Sequence, residues 1–248
     1  MTRREASLPR ARRWVIFVAI PGVMILLALG SWQVQRLMWK NSVNEFRQIR
    51  SQSEAIALPN VVENAEAMLY RPVWLKGRFH HEQEMYLAAR SYNSNTGYQV
   101  ITPFEREDGG FVLVNRGWIP IDRKDAATRS EGQIEGVVRI EGLVTGGNIP
   151  GWVTPDNVPE DNFWYWIDLP SLYGHAGLEP HEFLIDAGAA ANPGGYPIGG
   201  QTKTELRNEH LQYVVIWYAL AACLCVITHL MLRGARRRLH RTGEDGES

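Results

Sequence analysis

Two long apolar segments, one near each end of the chain, constrain the fold most strongly. Residues 14–30 contain no Asp, Glu, Lys or Arg over seventeen positions, and residues 211–232 contain none over twenty-two. At 1.5 Å of helical rise per residue the second segment spans about 33 Å, which matches a bilayer core of about 30 Å. The first is near the minimum length, and residues 31–33 extend it, with Trp32 at the interface. The sequence therefore predicts transmembrane helices at 14–33 and 210–232.

The distribution of charge predicts how these helices are oriented. The chain has 26 basic and 27 acidic side chains, a net charge of −1. Residues 1–13 carry a net +4, residues 233–248 a net +2, and the stretch between them −7. Because positive charge marks the cytoplasmic side, both termini are predicted to be cytoplasmic. Residues 34–209 are then predicted to form one extracytoplasmic domain, on the other side of the cell inner (plasma) membrane. The balanced total also argues against a nucleic-acid partner, which requires a basic excess.

Two alternatives to a pair of transmembrane helices remain open. The basic start, the apolar run and the small residues at 28–30 resemble a cleaved signal peptide, although the run is slightly long for one. A soluble protein with two buried helices is the other alternative, but it leaves the flanking arginines without an explanation.

The middle domain is predicted to consist mostly of β-strands. Seven segments alternate large and polar residues or are rich in β-formers: 70–79, 84–89, 97–104, 111–120, 136–145, 163–168 and 182–187. The Glu-Asp-Gly-Gly turn at 107–110 indicates a hairpin between two of them. Helical patterns occur at 41–56 and 169–177. The predicted fold class is thus a β-rich α+β domain, an antiparallel barrel or sandwich, flanked by N- and C-terminal transmembrane α-helices.

No motif of a common catalytic site occurs in the sequence, so no enzyme is predicted. The GxGxxG, P-loop, HExxH and GxSxG patterns are all missing. His80 and His81 are adjacent, so in a strand they point to opposite faces. His175 and His181 have no third ligand candidate beside them. Solvated surface histidines are the favoured interpretation of all four.

The start of the second apolar segment carries the clearest candidate site. His210 stands at its non-cytoplasmic end, and Trp217 follows two turns later, about 20° around the helix, so both lie on one face. Such a face can hold a metal porphyrin, with the imidazole as axial iron ligand and the aromatic side chain against the ring. An interfacial belt of His, Tyr and Trp side chains is the competing interpretation, and these residues alone favour the belt. His229, about 29 Å further along the helix, cannot be a second ligand of the same site.

Eight stretches in a fixed order carry a resemblance to a known family. They are 29–33 with Arg36 and Lys40, 70–73 with Gly77, 98–104, 114–120, 132–136, 155–168, 197–202 and 207–218. Over roughly residues 29–220 the chain resembles the Surfeit locus protein family, the assembly factors of haem-copper cytochrome c oxidase in bacteria and mitochondria.

The resemblance implies two membrane helices around one extracytoplasmic domain, which agrees with the charge distribution and disfavours a signal peptide. It implies a role in maturing the catalytic subunit of cytochrome c oxidase, together with the haem a biosynthetic enzymes, by delivering or positioning haem a. In family members reported to bind haem a, the proposed ligand corresponds to His210, with the neighbouring tryptophan at Trp217. With the resemblance added, His210 as the iron ligand becomes the favoured interpretation.

Arg116 has two interpretations within this resemblance. Its guanidinium fork can pair with a haem propionate, because arginine suits carboxylates. It can equally hold an internal carboxylate such as Asp168, which is the favoured alternative. Under the first interpretation the cofactor-binding residues are His210, Trp217 and Arg116.

Functions of different classes therefore remain. The first is a haem a carrier that presents the cofactor to the nascent oxidase subunit and later releases it. The second is a structural scaffold that holds the oxidase subunit during maturation without binding haem. The third is an extracytoplasmic ligand-binding domain unrelated to oxidases.

Overall fold

The chain forms two compact units that are joined at two points. A computed structural model describes residues 10–244, with side chains described for 13–233. The helical unit contains the chain up to Glu45 and again from Leu206, and the β-domain is Phe46–Glu205. The predicted cytoplasmic ends, at 1–13 and 233–248, fall mostly outside the residues with described side chains. Their orientation across a membrane stays a prediction.

Two long helices dominate the helical unit. Helix α1 is Arg10–Ser51 and helix α4 is His210–Glu244. Each contains a stretch long and apolar enough to cross a membrane, and few of the side chains in these stretches are buried within the protein. The prediction of two apolar helices at the ends of the chain is thus confirmed. The helical pattern predicted at 41–56 belongs to α1, which continues without a break beyond residue 33 and ends at Ser51, short of the predicted end.

Small residues allow the two helices to approach each other closely. A Cβ atom on Gly30 would lie 3.1 Å from the ring of Tyr218, so a larger side chain there has little room. The hydroxyl groups of Ser31 and Tyr218 lie 3.2 Å apart and form a hydrogen bond. Small residues at such contacts are typical of helices that pair in membranes.

Eight strands form the sheet of the β-domain, with two short helices beside them. The strands are β1 Ile56–Ala57, β2 Pro72–Phe79, β3 Met85–Tyr92, β4 Asn95–Arg106, β5 Phe111–Pro120, β6 Val138–Thr145, β7 Phe163–Trp164 and β8 Leu184–Ala187. The helices are α2 Ala65–Met68 and α3 Leu169–His175. The strand order is β1-β2-β6-β8-β5-β4-β3-β7, and β2 pairs in addition with β4.

The strand pairing confirms the β-rich domain, but the prediction that its sheet is purely antiparallel is wrong. Three pairs are parallel, β1 with β2, β5 with β8, and β3 with β7. The β2–β4 pairing makes a ring of five strands, and this alone does not define a barrel. The choice between barrel and sandwich therefore stays a prediction. The predicted hairpin is confirmed: β4 and β5 are antiparallel neighbours joined by the turn at 107–110.

The core consists of two apolar clusters. One gathers side chains of the central strands, including Val73, Leu75, Phe104, Val114 and Ile185. The other joins strands β3 to β5 to helix α3 and β7, through Met85, Leu87, Ile101, Trp164, Leu172 and Tyr173. Helix α3 begins where predicted, because the Asp168 carboxylate accepts hydrogen bonds from the backbone N and hydroxyl of Ser171 as an N-cap. Burying these side chains is the main favourable contribution to the stability of the domain.

A β-bulge at Gly117 interrupts the β4–β5 ladder. The register shifts between Val100 and Ile101, and Gly117 has φ of +116°. A Cβ atom there would lie 2.0 Å from the carbonyl oxygen of Ile198. That segment pairs with Trp118 through two backbone hydrogen bonds of 2.8 Å. Only glycine permits both this backbone conformation and this close approach.

Candidate functional site

His210 is the first residue of α4 and is fixed by the segment just before it. Its backbone N–H donates to Oδ1 of Asn208 at 3.4 Å. The amide of Asn208 in turn donates to Oδ1 of Asn41 at 2.7 Å and to the carbonyl oxygen of Leu37 at 3.3 Å, both on α1. Lys40 on the same helix donates to the Arg207 carbonyl oxygen at 3.0 Å. The start of α4 is therefore tied to α1 by several polar contacts.

Within residues 13–233, the imidazole of His210 has one hydrogen-bond partner. Its Nδ1 lies 2.7 Å from Oε1 of Gln33 on α1. An amide oxygen only accepts hydrogen bonds, so Nδ1 carries the proton in the neutral ring, and Nε2 keeps its lone pair. Metal-bound histidines usually have this arrangement, in which an acceptor behind the ring fixes its tautomer and orientation. The half-buried imidazole is thus prepared to act as a ligand through Nε2.

Trp217 lies two turns further along α4 and offers a free donor. The residue is half-buried, yet its indole Nε1 is buried and has no hydrogen-bond partner within the part of the chain whose side chains are described. Buried donors are normally satisfied, so this N–H calls for an acceptor. His210 and Trp217 share one unit and, from their spacing, one helix face. A metal porphyrin at this face could take Nε2 of the imidazole as a ligand and lie against the indole ring.

Arg116 lies in the β-domain, within a buried ion pair. The residue is 1% exposed, and its guanidinium donates to Oε1 of Glu84 at 3.2 Å. It also donates to the carbonyl oxygen of Gly132 and contacts Nδ1 of His81 at 3.2 Å. Its partner is therefore an internal carboxylate, as favoured, but the carboxylate is Glu84. Asp168 is occupied as the N-cap of α3.

Glu84 is the centre of this buried network. Arg129 donates to both of its oxygens, and Gln133 donates to Oε1 at 3.2 Å. Burial alone raises the pKa of Glu84, but hydrogen bonds from His81 and Arg129 and the charge of Arg129 outweigh it and lower the pKa to about 2. Burial lowers the pKa of Arg116 to about 10, although Glu84 opposes the change. Neither Glu84 nor Arg129 was a predicted site residue.

The four histidines of the β-domain differ in their surroundings. His175 and His181 are exposed, as predicted. His80 contacts Glu82 and Glu105, each at 3.1 Å. His81 corrects the prediction, because its side chain is only 16% exposed and its Nε2 bonds the Ile134 carbonyl oxygen at 3.0 Å. Among the residues with described side chains, no group of three His, Cys, Asp or Glu side chains is arranged to hold a metal ion.

The structure is that of a protein with two long apolar helices, one early and one late in the sequence, and a β-rich domain formed by the residues between them in the chain. The SURF1 family model matches residues 20–222. The chain is 37% identical over 227 residues to a SURF1-like protein of Monosiga brevicollis, and the aligned region covers 86% of this chain and 86% of the relative. It is 37% identical over 239 residues to Surfeit locus protein 1 of Homo sapiens, covering 88% of this chain and 78% of the relative. It is 36% identical over 234 residues to Surfeit locus protein 1 of Xenopus tropicalis, covering 88% and 75%. The chain belongs to the SURF1 family.

Proposed function

We propose that this protein is an assembly factor for haem-copper cytochrome c oxidase, and not an enzyme. In this role it binds haem a through His210 and delivers or positions it in the catalytic subunit. Membership of the SURF1 family supports the general role. The contact between His210 Nδ1 and Gln33 Oε1 supports the haem-binding role, since it leaves Nε2 available as a ligand.

Each residue of the site has a separate task in this proposal. When bound, haem a would supply an iron that an imidazole nitrogen can hold. His210 Nε2 would hold the iron, and Gln33 would keep the imidazole ring in position. Trp217 presents an aromatic surface and an unused N–H. Because the imidazole is only half-buried, the site holds its cofactor without enclosing it, which suits a protein that must release what it carries.

The location and partners follow from the same proposal. The segments at 14–33 and 210–232 anchor the chain in the cell inner membrane, with 1–13 and 233–248 in the cytoplasm and 34–209 outside it. The two apolar helices are compatible with this anchoring. The partners are then the catalytic subunit of the oxidase, the haem a biosynthetic enzymes and the lipid bilayer. Arg116 does not need to contact haem, because the buried carboxylate of Glu84 already pairs with it.

A structural scaffold is the second candidate function, and one surface of the β-domain favours it. The loop between β6 and β7 exposes three large apolar side chains, Ile149 at 92%, Trp152 at 98% and Val153 at 71%. Exposed apolar groups in a cluster are typical of protein contact sites. Such a surface can hold a nascent oxidase subunit without any haem.

Optical spectroscopy of the full-length protein tests the carrier function. The protein is purified in detergent after co-expression with haem a biosynthetic enzymes, beside the variants His210→Ala and His229→Ala. We expect a reduced haem a band in the wild type and in His229→Ala, and its loss in folded His210→Ala. A band that persists in His210→Ala contradicts the proposed ligand. No band in any folded sample favours the scaffold, which Trp152→Ser then tests through the oxidase content of a complemented deletion strain.

A further inference from the structure

A polar cavity in the β-domain is used by neither proposed function. Its volume is about 540 Å³, which lies within the range of small-molecule sites. The side chains that matter for its chemistry are Arg90, Gln99, Asn115, Asp186, Thr202 and Lys203. All of them belong to the β-domain. The cavity therefore combines both signs of charge with several amide and hydroxyl groups.

Asp186 has a fixed carboxyl group in this cavity. Its Oδ1 accepts a hydrogen bond from Nδ2 of Asn115 at 2.9 Å, and its Oδ2 accepts one from the hydroxyl of Thr202 at 2.9 Å. Asn115 is itself within 3.4 Å of the Gln99 amide oxygen. Burial raises the pKa of Asp186. The carboxyl group is thus held in one position by neutral donors and keeps acceptor capacity for a further donor.

Arg90 is the main cation of the cavity and is incompletely paired. Its Nη2 donates to the carbonyl oxygen of Tyr165 at 3.3 Å. Its Nε is buried and has no hydrogen-bond partner among the side chains and backbone of 13–233. Over the same residues, Arg90 forms no ion pair with Asp186 within 4.0 Å, although the two charges influence each other. A buried guanidinium N–H without an acceptor is uncommon and indicates a place for one.

The backbone around the cavity is strained at two non-glycine residues. Ala89 has φ of +55° and Tyr70 has φ of +62°, and both line the cavity. Ala89 lies in an irregularity where the β3–β4 register shifts between Leu87 and Arg90. Bulges of this kind redirect a side chain, here that of Arg90. Strain in the left-handed region is concentrated at functional sites, so its presence here adds to the polar lining.

The charges around the cavity favour an anionic ligand. Arg90 and Lys203 line it against the single carboxylate of Asp186. Guanidinium groups bind carboxylates through their planar fork, which matches the unused N–H of Arg90.

We propose that this cavity binds a small organic carboxylate that also carries a hydroxyl or amino group. The ligand carboxylate accepts from Nε of Arg90 and faces Lys203, and the hydroxyl or ammonium group donates to Asp186. This function is independent of haem binding, since no residue of the cavity belongs to the proposed haem site.

Calorimetry on the full-length protein in detergent tests the proposal with L-malate as the probe. Succinate lacks the hydroxyl of malate, and sulfate at matched ionic strength controls for charge. We expect saturable malate binding, succinate binding at least fivefold weaker, and no saturable sulfate binding. Arg90→Gln weakens malate binding at least tenfold, whereas Arg139→Gln, on an exposed arginine of β6, leaves it unchanged. His210→Ala binds malate as the wild type does, which separates this test from that of the haem site.

Two further variants of cavity residues test the proposal without relying on Arg90→Gln. Lys203→Gln, at an exposed position that leaves the fold intact, is expected to weaken malate binding about threefold, so the test does not depend on the folding of Arg90→Gln. In Asp186→Asn the preference for malate over succinate is lost. No saturable binding of malate, equal binding of malate and sulfate, or wild-type affinity in both Arg90→Gln and Lys203→Gln overturns the proposal.

Discussion

The imidazole Nδ1 of His210 on α4 lies 2.7 Å from the amide oxygen of Gln33 on α1, across 177 positions of sequence. The contact joins the first residue of one apolar helix to a residue on the other. It defines which imidazole nitrogen is free, since the nitrogen that faces an acceptor carries the proton. Gln33 therefore has a specific role in the proposed haem site, although it is not itself a ligand.

Replacing Gln33 with Leu is expected to lower haem a occupancy at least tenfold. The leucine removes the acceptor that fixes the imidazole ring of His210. Loss of such an acceptor typically lowers metal affinity about 10–100-fold. The ratio of the haem absorbance to protein, measured on the purified full-length protein, is the readout. Gln35→Leu, at an exposed position on the same helix, is the matched control and keeps wild-type occupancy. Equal occupancy in the two variants contradicts the role of Gln33.

Replacing Glu84 with Gln is expected to destabilise the β-domain by about 3–5 kcal/mol, because it leaves the buried cations Arg116 and Arg129 without a counter-charge. Urea unfolding of the full-length protein, followed by tryptophan fluorescence, measures the change. Glu82→Gln is the control, since that side chain is 69% exposed and its loss is expected to change the stability by about 0.5 kcal/mol or less. A midpoint for Glu84→Gln that equals that of Glu82→Gln contradicts the structural role of the network.

The same carboxylate predicts a dependence of stability on pH. The pKa of Glu84 is lowered from 4.5 to about 2 in the folded protein. The folded state therefore binds the proton less readily than the unfolded state, and the stability gained from Glu84 is present above pH 4.5 and is lost as the pH falls toward 2. Its size is about 3 kcal/mol. We expect the stability difference between wild type and Glu84→Gln to shrink over this range, as measured by urea midpoints at successive pH values. A constant difference contradicts the lowered pKa.

Replacing Arg116 with Lys separates its two interpretations. A lysine cannot reproduce the contacts to Glu84, Gly132 and His81 together, since it lacks the planar fork. We expect lower stability, by about 2 kcal/mol, with haem a occupancy per folded protein unchanged. Urea midpoints and the haem absorbance of the folded fraction measure the two effects. Loss of the haem band at unchanged stability supports a propionate contact instead.

Local sequence signals predicted the elements that depend on neighbouring residues. The β4–β5 hairpin follows from a turn of Glu-Asp-Gly-Gly, and α3 follows from the helical pattern at 169–177, although the cap by Asp168 that starts it was not predicted. The apolar segments indicated two long helices. The end of α1 was missed because nothing in its polar second half stops a helix before Ser51.

Partners that are distant in sequence were not predictable in the same way. Glu84 contacts Arg116 and Arg129, which lie 32 and 45 positions away. An acidic residue before a strand looks the same whether it is solvated or buried, so the favoured partner of Arg116 was wrongly Asp168. The acceptor for His210 was missed for the same reason, because helix spacing reports neighbours on one helix and not those across to the next.

Replacing Gly117 with Ala is expected to destabilise the β-domain by about 3 kcal/mol. The φ of +116° disfavours any side chain, and the new Cβ would meet the Ile198 carbonyl oxygen at 2.0 Å. Relief of that contact requires breaking the backbone pairing between Trp118 and Ile198. Gly109→Ala is the control, because its φ of +101° is similar but no atom lies within 4 Å of the added Cβ, so only the conformational cost of about 1 kcal/mol applies. Urea midpoints of the two full-length variants separate strain from collision, and equal midpoints contradict the close approach at the bulge.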